Sequence, residues 1–264
     1  LRKIMTLDLN EGVLPYRAFD SEETPRYIDQ MPLLLSGRDG EGNIVDIPRI
    51  PTGVRHIFER KLNSSNPNWM NNYFYTVDGF VFPVKGAYDD GRFKVRRNSE
   101  VLRAVNPQTR LINGGVPIES YETVEGKEFR RQDVTLNRDL KKEEALEHPV
   151  IIELLGGETS FVEAVVNKIF SEGNKQFQYD TMMGIYLSSE LNKAYERACY
   201  VDGLGGRSRL DSRDDLDSDD GYGRLVGLAP EALVAFDKAM ARFSPRESDE
   251  IELTRLIRNI DSDC

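Results

Sequence analysis

The sequence predicts an α+β protein, because the spacing of its hydrophobic residues changes once along the chain. Up to about residue 137, hydrophobic residues recur with the period of two that is typical of strands, between turns that contain glycine or proline. Beyond residue 137 they recur with the helical period of 3.6, behind residues that favour helix starts. We therefore expect an N-terminal, mostly antiparallel β region followed by a C-terminal helical region.

The same change predicts how the 264 residues divide. Residues 1–137 are expected to form a mainly antiparallel β subdomain with short helices, and residues 138–264 a helical subdomain. Within the helical part, residues 202–228 are the long irregular stretch, a loop rich in aspartate. No linker rich in proline or serine separates the two parts, so they either pack as one unit or stand as two domains.

Four elements frame the N-terminal region. Lys3–Leu9 alternates hydrophobic and polar residues and predicts a half-buried strand, whereas Val54–Leu62 has the pattern of a short helix. Leu111–Ile118 and Glu128–Leu136 are predicted as further strands. Leu33–Leu35 and Ile44–Ile47, on either side of a turn that contains glycine, are predicted as a hairpin. Together with this hairpin and the segment between residues 73 and 97, these elements account for the β region.

The strongest strand signals lie between residues 73 and 97. Three runs rich in aromatic and β-branched residues, Tyr73–Val77, Phe80–Gly86 and Arg92–Arg97, are separated by Asp78-Gly79 and Asp89-Asp90-Gly91. Aspartate followed by glycine is a strong hairpin signal, because both residues tolerate positive φ. The sequence therefore predicts a three-stranded antiparallel meander over residues 73–97.

Helices are predicted from residue 141 onwards. Lys141–Glu147 is followed by Pro149, which begins a second short helix. A capping box at Ser160 starts a third, with a hydrophobic stripe at the helical spacing, and Gly173 is expected to end it. The same spacing predicts another helix over residues 191–198, with Cys199 beside its stripe. Two further helices, joined at Ser244-Pro245, are predicted within residues 229–260. The stripe of the third helix consists of Val162, Val165, Val166 and Ile169, and that of the fourth consists of Leu191, Ala194, Tyr195 and Ala198.

Charge and cysteine content exclude several classes of protein. The net charge is −10, and residues 151–264 carry 13 basic and 22 acidic groups, so that part repels a phosphate backbone. Cys199, Cys264, His56 and His148 are scattered singly, which argues against a disulfide framework and a Cys/His zinc site. Neither an apolar run long enough to span a membrane nor a secretory signal is visible. We therefore expect a cytoplasmic protein with no membrane partner.

The aspartate-rich loop is a candidate cation site. Asp215, Asp217 and Asp219 occupy positions 1, 3 and 5 of a calcium-loop-like pattern, which would favour Ca²⁺ or Mg²⁺. The match is imperfect, because Asp220 stands where an EF-hand needs glycine and Val226 stands where it needs glutamate. The competing expectation is that the nearby arginines, Arg207, Arg209 and Arg213, neutralise the loop. No other cofactor is predicted.

The predicted meander is a candidate binding surface. Its basic residues Lys85, Arg92, Lys94 and Arg96 are interleaved with aromatic residues such as Tyr73 and Tyr75. Proteins that bind single-stranded nucleic acid combine such basic tracks with stacking platforms. Any amphipathic strand shows the same alternation, so an ordinary half-buried strand is the alternative. In both cases Lys94 and Arg96 are expected to be exposed on one face.

Catalytic motifs are sparse. No nucleophile elbow, P-loop or dinucleotide fingerprint occurs, so common hydrolase and nucleotide-binding classes are not supported. Glu125-Gly126-Lys127, with Asp89 and Asp90 upstream, matches the short E-x-K pattern of metal-dependent nucleases. The sequence therefore favours a non-enzymatic binding or assembly protein, which presents a basic and aromatic sheet and an acidic helical end to a protein partner or to itself. The alternative is a metal-dependent hydrolase or nuclease that uses clustered carboxylates.

Overall fold

A computed structural model describes residues 6–9, 16–19, 26–38, 42–44, 46–219 and 223–229. Within these ranges the strands are β1 Thr6–Leu7, β2 Tyr16–Phe19, β3 Ile50–Pro51, β4 Phe74–Phe82, β5 Arg92–Arg96, β6 Val116–Pro117, β7 Lys127–Arg130, β8 Ile185–Tyr186, β9 Tyr195–Val201, β10 Leu210–Asp211 and β11 Arg224–Leu228. The helices are α1 Tyr27–Ser36, α2 Val54–Asn63, α3 Pro67–Asn71, α4 Glu100–Arg103, α5 Lys142–Glu147, α6 Pro149–Leu154 and α7 Thr159–Phe177. Short 3-10 turns lie at Arg131–Asp133 and Leu204–Gly206.

The strands join into one mixed sheet in the order β1-β2-β11-β4-β9-β10-β8. Strand β5 continues from β4 to β7, while β3 pairs with β11 and β6 with β9. Most of these pairs are antiparallel, and β11 with β4 and β10 with β8 are parallel. Strands from both sides of residue 137 therefore alternate in the centre of the sheet, where β4 lies between β11 and β9.

Helices cover both faces of this sheet. Adjacent residues of the central strands enter different hydrophobic clusters, as Phe74 and Tyr75 of β4 and Cys199 and Tyr200 of β9 do, so the two clusters lie on opposite faces. The larger cluster packs α2, α5, α6 and α7 against the sheet. The smaller cluster packs α1 and α4 against the other face. No helix in the described part of the chain is long and apolar enough to cross a membrane.

The α+β class predicted from the sequence is confirmed, and so are three of the local predictions. Helix α2 covers the predicted segment, α5 and α6 meet at Pro149, and the predicted stripe of α7 is buried. Helix α7 runs to Phe177 rather than stopping at Gly173, and the missing side chain of this glycine lets Met182 pack against the helix. The first strand of the hairpin predicted over residues 33–47 is wrong, because Leu33–Leu35 lies within α1. The division at residue 137 stays a prediction.

The meander predicted over residues 73–97 is wrong, because the first two runs form the single strand β4. Asp78 does not turn the chain. Its carboxylate is buried and accepts hydrogen bonds from the backbone N–H groups of Val54 and Asn98, each at 2.7 Å. Gly79 is required for packing, since a Cβ atom there would lie 2.8 Å from the carbonyl oxygen of Arg197. Distant partners therefore override the local turn signal.

The helix predicted over residues 191–198 is also wrong, because Tyr195–Val201 forms the central strand β9. Every residue of β9 is buried, since helices cover both faces of the sheet at this point. A strand buried on both faces loses the alternation of polar and hydrophobic residues that identifies strands in sequences. The two helices predicted within residues 229–260 lie outside the described residues, apart from Ala229.

Candidate functional site

The basic residues predicted to form a binding track are held within the protein. Lys94 is only 8% exposed, so the expectation that it shares an exposed face with Arg96 is wrong. Its ammonium group donates hydrogen bonds to the backbone carbonyls of residues 121, 122 and 124, at 2.7, 3.4 and 2.9 Å. Arg96 pairs with the buried Glu196 at 3.2 Å, and Arg92 pairs with Asp90 and Glu128. These cations therefore hold the fold together instead of lining a track.

The other predicted members of that surface are scattered. Tyr75 is buried in the smaller hydrophobic cluster, against Tyr27 and Tyr200. Tyr73 and Lys85 are exposed at opposite ends of β4. The structure therefore does not bring the six predicted residues together on one surface.

The aspartate-rich loop is tied to arginines, and one of them, Arg213, is among those that the sequence suggested. Asp215 pairs with Arg197 at 2.8 Å, and Asp219 lies 3.7 Å from Arg26, while Asp217 is exposed. Among the described residues, no group of three or more histidine, cysteine, aspartate or glutamate side chains has a metal-binding arrangement. Of the three expected arginines, Arg213 pairs with Asp211, and Arg207 and Arg209 both reach Asp139 instead.

The candidate nuclease and nucleophile residues are likewise engaged elsewhere. Lys127 of the E-x-K pattern pairs with Glu153 at 3.4 Å, and Asp90 pairs with Arg92 and Arg130. Burial raises the pKa of the Cys199 thiol well above its usual value, which makes the thiol unreactive. Burial also lowers the pKa of His56 to about 4, so this imidazole is neutral at pH 7.

A different set of residues converges where β8, β9 and β10 meet, on the face of the sheet that carries the smaller cluster. Asp211 of β10 lies between Tyr186 of β8 and Tyr200 of β9, so the three side chains share a face. Contacts add residues that flank these strands. Arg209 and Arg213 lie over the ring of Tyr186, and Asp202 and Tyr73 lie together beside Gly206, in the turn between β9 and β10. We call the following set the β10 surface: Tyr73, Tyr186, Asp202, Arg209, Asp211 and Arg213.

Two arginines of the β10 surface stack on one tyrosine. The guanidinium carbons of Arg209 and Arg213 lie 5.0 and 4.4 Å from the ring centre of Tyr186. Arg209 also donates two hydrogen bonds to the carboxylate of Asp139, at 2.7 and 2.8 Å. Burial alone would raise the pKa of Asp139, but the hydrogen bonds from Arg209 and Tyr186 and the charges of Arg209 and Arg207 together outweigh burial and leave the pKa lowered. Contacts with Asp139 and Asp211 thus fix the arginines and the tyrosine in position.

Asp202 has a different environment. Burial, together with the neighbouring Asp211 and Asp214, raises the pKa of its carboxyl to about 7, against the opposing charges of Arg209 and Lys61. Lys61 is buried below the surface and donates hydrogen bonds to the backbone carbonyls of Asp202 and Met70, at 2.9 and 3.3 Å. Burial lowers the pKa of Lys61 to about 7. The two hydrogen bonds of Lys61 hold the backbone at Asp202 and Met70 in place below the surface.

The segment that carries the β10 surface is anchored at regular intervals. Leu204, Leu210 and Leu216, spaced by six residues, are completely buried. Polar residues stand between them, and Arg197 fixes the segment from below by donating hydrogen bonds to the carbonyls of Ser212, Arg213 and Asn113. Reasoning from the sequence concentrated on the aspartates and missed this surface. The spacing of the leucines, with arginines between them, was the signal that could have found it.

Comparison with known proteins gives a fold. No known protein family matches the sequence, and no curated protein matches it. One solved structure is similar over 84% of this chain and 100% of its own, with 14% identical residues and a TM-score of 0.57. It is described as showing the accommodation of massive sequence variation in Nanoarchaeota by the C-type lectin fold. The chain described here therefore adopts the C-type lectin fold.

Proposed function

We propose that this chain is a binding protein that recognises a protein partner through the β10 surface. The observation that carries the proposal is the stack of Arg209 and Arg213 on Tyr186, in which each arginine is also held by an aspartate. Tyrosine and arginine are enriched at the energetic centres of protein interfaces. Side chains that are already fixed lose little conformational entropy on binding, so the surface is preorganised for a partner.

The anchoring of residues 202–219 supports the same conclusion. Core positions such as Leu210 and Leu216 are buried, whereas Arg213 and Asp214 between them are exposed. Exposed residues can therefore change without loss of buried hydrophobic contacts. The similar solved structure is described as accommodating massive sequence variation on this fold, which fits a scaffold whose exposed residues vary with the ligand.

Nucleic-acid binding, self-association and metal-dependent hydrolysis receive less support from the described residues. Arg92, Lys94 and Arg96 are committed to carboxylates or carbonyl groups, so they offer little to a nucleic acid. Nothing in the described residues favours self-association over binding of another protein. A metal-dependent hydrolase or nuclease lacks a converging set of ligands in the described part of the chain.

A crosslinking experiment with a matched control tests the proposal. Arg213 and Arg130 have nearly equal side-chain exposure, 50% and 51%, and each pairs with one aspartate, but Arg130 lies on β7, away from the β10 surface. A photoreactive p-benzoylphenylalanine at position 213, but not at position 130, should crosslink a partner in an extract of the source organism. The partner is then purified for calorimetry. Arg213→Ala and Tyr186→Ala should each weaken its affinity at least tenfold, and Arg130→Ala less than twofold. Equal binding by all three variants would refute the proposal.

A further inference from the structure

In the 3-10 turn Leu204–Gly206, the backbone of Gly205 and Gly206 is accessible between aromatic side chains. A Cβ atom added to Gly205 would lie 3.8 Å from the ring of Phe177, and one added to Gly206 would lie 2.9 Å from the hydroxyl of Tyr73. Phe177 and Tyr179 stack at 5.2 Å, and the Tyr179 hydroxyl donates a hydrogen bond to the carbonyl of Gly205 at 3.2 Å. Phe177 and Tyr73 are 43% and 37% exposed. Aromatic rings thus surround a floor made of two glycines.

The carboxylate of Asp202 lies at the same place. One of its oxygen atoms is 2.9 Å from the position that a Cβ atom of Gly206 would take, beside the Tyr73 hydroxyl. No described residue forms an ion pair with this carboxylate. The nearby cations are committed elsewhere, because Arg209 binds Asp139 and the ammonium group of Lys61 binds two backbone carbonyls.

Arg207, the remaining cation next to this turn, is also engaged. Its guanidinium group lies over the ring of Tyr179 at 4.2 Å and reaches Asp139 at 3.5 Å. Asp211 and Asp214 add negative charge around Asp202. The site therefore combines aromatic walls, a floor without side chains and a half-buried carboxylate to which none of the described residues supplies a cation.

We propose that the site formed by Tyr73, Phe177, Tyr179, Asp202 and the Gly205-Gly206 backbone holds a lysine side chain of the protein partner. This inference rests on the proposed function and names the chemistry of its ligand. The methylene groups of lysine pack on the rings, and its ammonium group meets the Asp202 carboxylate and the Tyr73 hydroxyl. The bound lysine thus supplies the positive charge that no described residue provides to the Asp202 carboxylate.

The site predicts a dependence on pH. Binding of an ammonium group requires an ionised Asp202, and the pKa of this carboxyl is raised to about 7. Affinity should therefore fall about tenfold from pH 8 to pH 6, as the ionised fraction falls. Asp211, Asp214, Arg209, Lys61 and Tyr73 face the carboxyl. Of these, Lys61, with its pKa of about 7, gains positive charge over the same range and acts in the same direction.

Titration with hexalysine, followed by NMR, tests the site without the natural partner. At pH 8, where Asp202 is mostly ionised, Asp202→Asn should weaken binding at least tenfold. Asp217→Asn removes a similar charge from an exposed aspartate and should weaken binding less than twofold. Gly206→Val fills the floor and should abolish binding, and Tyr73→Phe, which removes one hydroxyl group, gives a milder variant in case the valine disturbs folding. Hexalysine acetylated at its side chains should not bind.

Equal losses in Asp202→Asn and Asp217→Asn would overturn the inference, because they would show attraction to the overall negative charge. Absence of hexalysine binding, or equal binding of the acetylated peptide, would overturn it too. These outcomes are separate from failure of the proposed function. A partner crosslinked at position 213 that binds Asp202→Asn with unchanged affinity removes the lysine site and leaves the binding function standing.

Discussion

Asp78 should be among the residues on which the stability of the chain depends most strongly. Its buried carboxylate accepts one hydrogen bond from the N-terminus of α2, at Val54, and one from Asn98, in the turn after β5. Gly53, the capping residue of α2, has no side chain that could take this role. A side chain at position 53 would also collide with Asp78, since a Cβ atom there would lie 2.7 Å from the carboxylate.

The two hydrogen bonds set the expected size of the effect. A hydrogen bond to a charged group contributes about 1.5–3 kcal/mol, and a buried N–H group left without an acceptor costs about 1–3 kcal/mol. Asp78→Ala removes both bonds and leaves two such N–H groups, so the free energy of unfolding should fall by about 4 kcal/mol. For a chain of this size the melting temperature should fall by roughly 8–16 °C. Asp78→Asn keeps a carbonyl acceptor and should lose about half as much free energy.

Unfolding in urea, followed by the fluorescence of Trp69, measures this effect. Trp69 is the only tryptophan of the chain and is completely buried, so its emission reports on the whole fold. Asp89→Ala serves as the control, because Asp89 is an exposed aspartate of the loop between β4 and β5. The control should change stability by less than about 0.5 kcal/mol. A loss below about 1 kcal/mol in Asp78→Ala would refute the reasoning.

Further predictions concern other buried polar groups. Lys94→Glu should lower the free energy of unfolding by more than about 3 kcal/mol in thermal denaturation, because it places an anion against three carbonyls; an unchanged melting temperature would show that Lys94 is exposed after all. Ser208→Gly should raise stability by about 1 kcal/mol in urea, since Ser208 has a φ of 49° and its buried hydroxyl finds no partner among the described residues. The pKa of His56 is about 4 in the folded chain, so the unfolded chain takes up a proton first and stability is lost as pH falls below 6.5. Relative to His56→Gln, the wild-type chain should lose about 2 kcal/mol between pH 7.5 and 5, and a constant difference would contradict the assignment.

The spacing of hydrophobic residues correctly predicted helices that bury one face and expose the other. The stripe of α7 at Val162, Val165, Val166 and Ile169 needs one buried face, and its spacing is visible within a short window. Central strands have no such signature, because β9 is buried on both faces by helices that come from distant parts of the chain. Residues 191–198 therefore show a helical spacing of hydrophobic residues and no alternation that would have indicated a strand.

The environment of Lys94 shows the same limit for side chains. The alternation of Arg92, Lys94 and Arg96 with Phe93 and Val95 correctly separates the two faces of β5. It cannot show that residues 121–124, almost thirty positions later, cover the basic face and offer their carbonyls to Lys94. Lys94 is a structural residue, because it contacts a segment that is distant in the sequence. The local alternation of residues in β5 cannot show this contact.

The aspartate-rich loop shows why the number of charges in a sequence is a poor guide to a binding site. The number and spacing of its carboxylates resemble those of a cation site. In the folded chain, however, Asp215 pairs with Arg197 and Asp211 pairs with Arg213. The property that matters for binding is the charge that stays unpaired and partly desolvated once these pairs have formed, because an ion pair made there meets the least competition from water. Within the described part of the chain Asp202 has this property, since it is half-buried beside Tyr73 and its carboxyl has a raised pKa. Asp202 lies outside the densest run of aspartates, residues 211–220, so the number of neighbouring carboxylates does not single it out. Its lack of an ion pair among the described residues does.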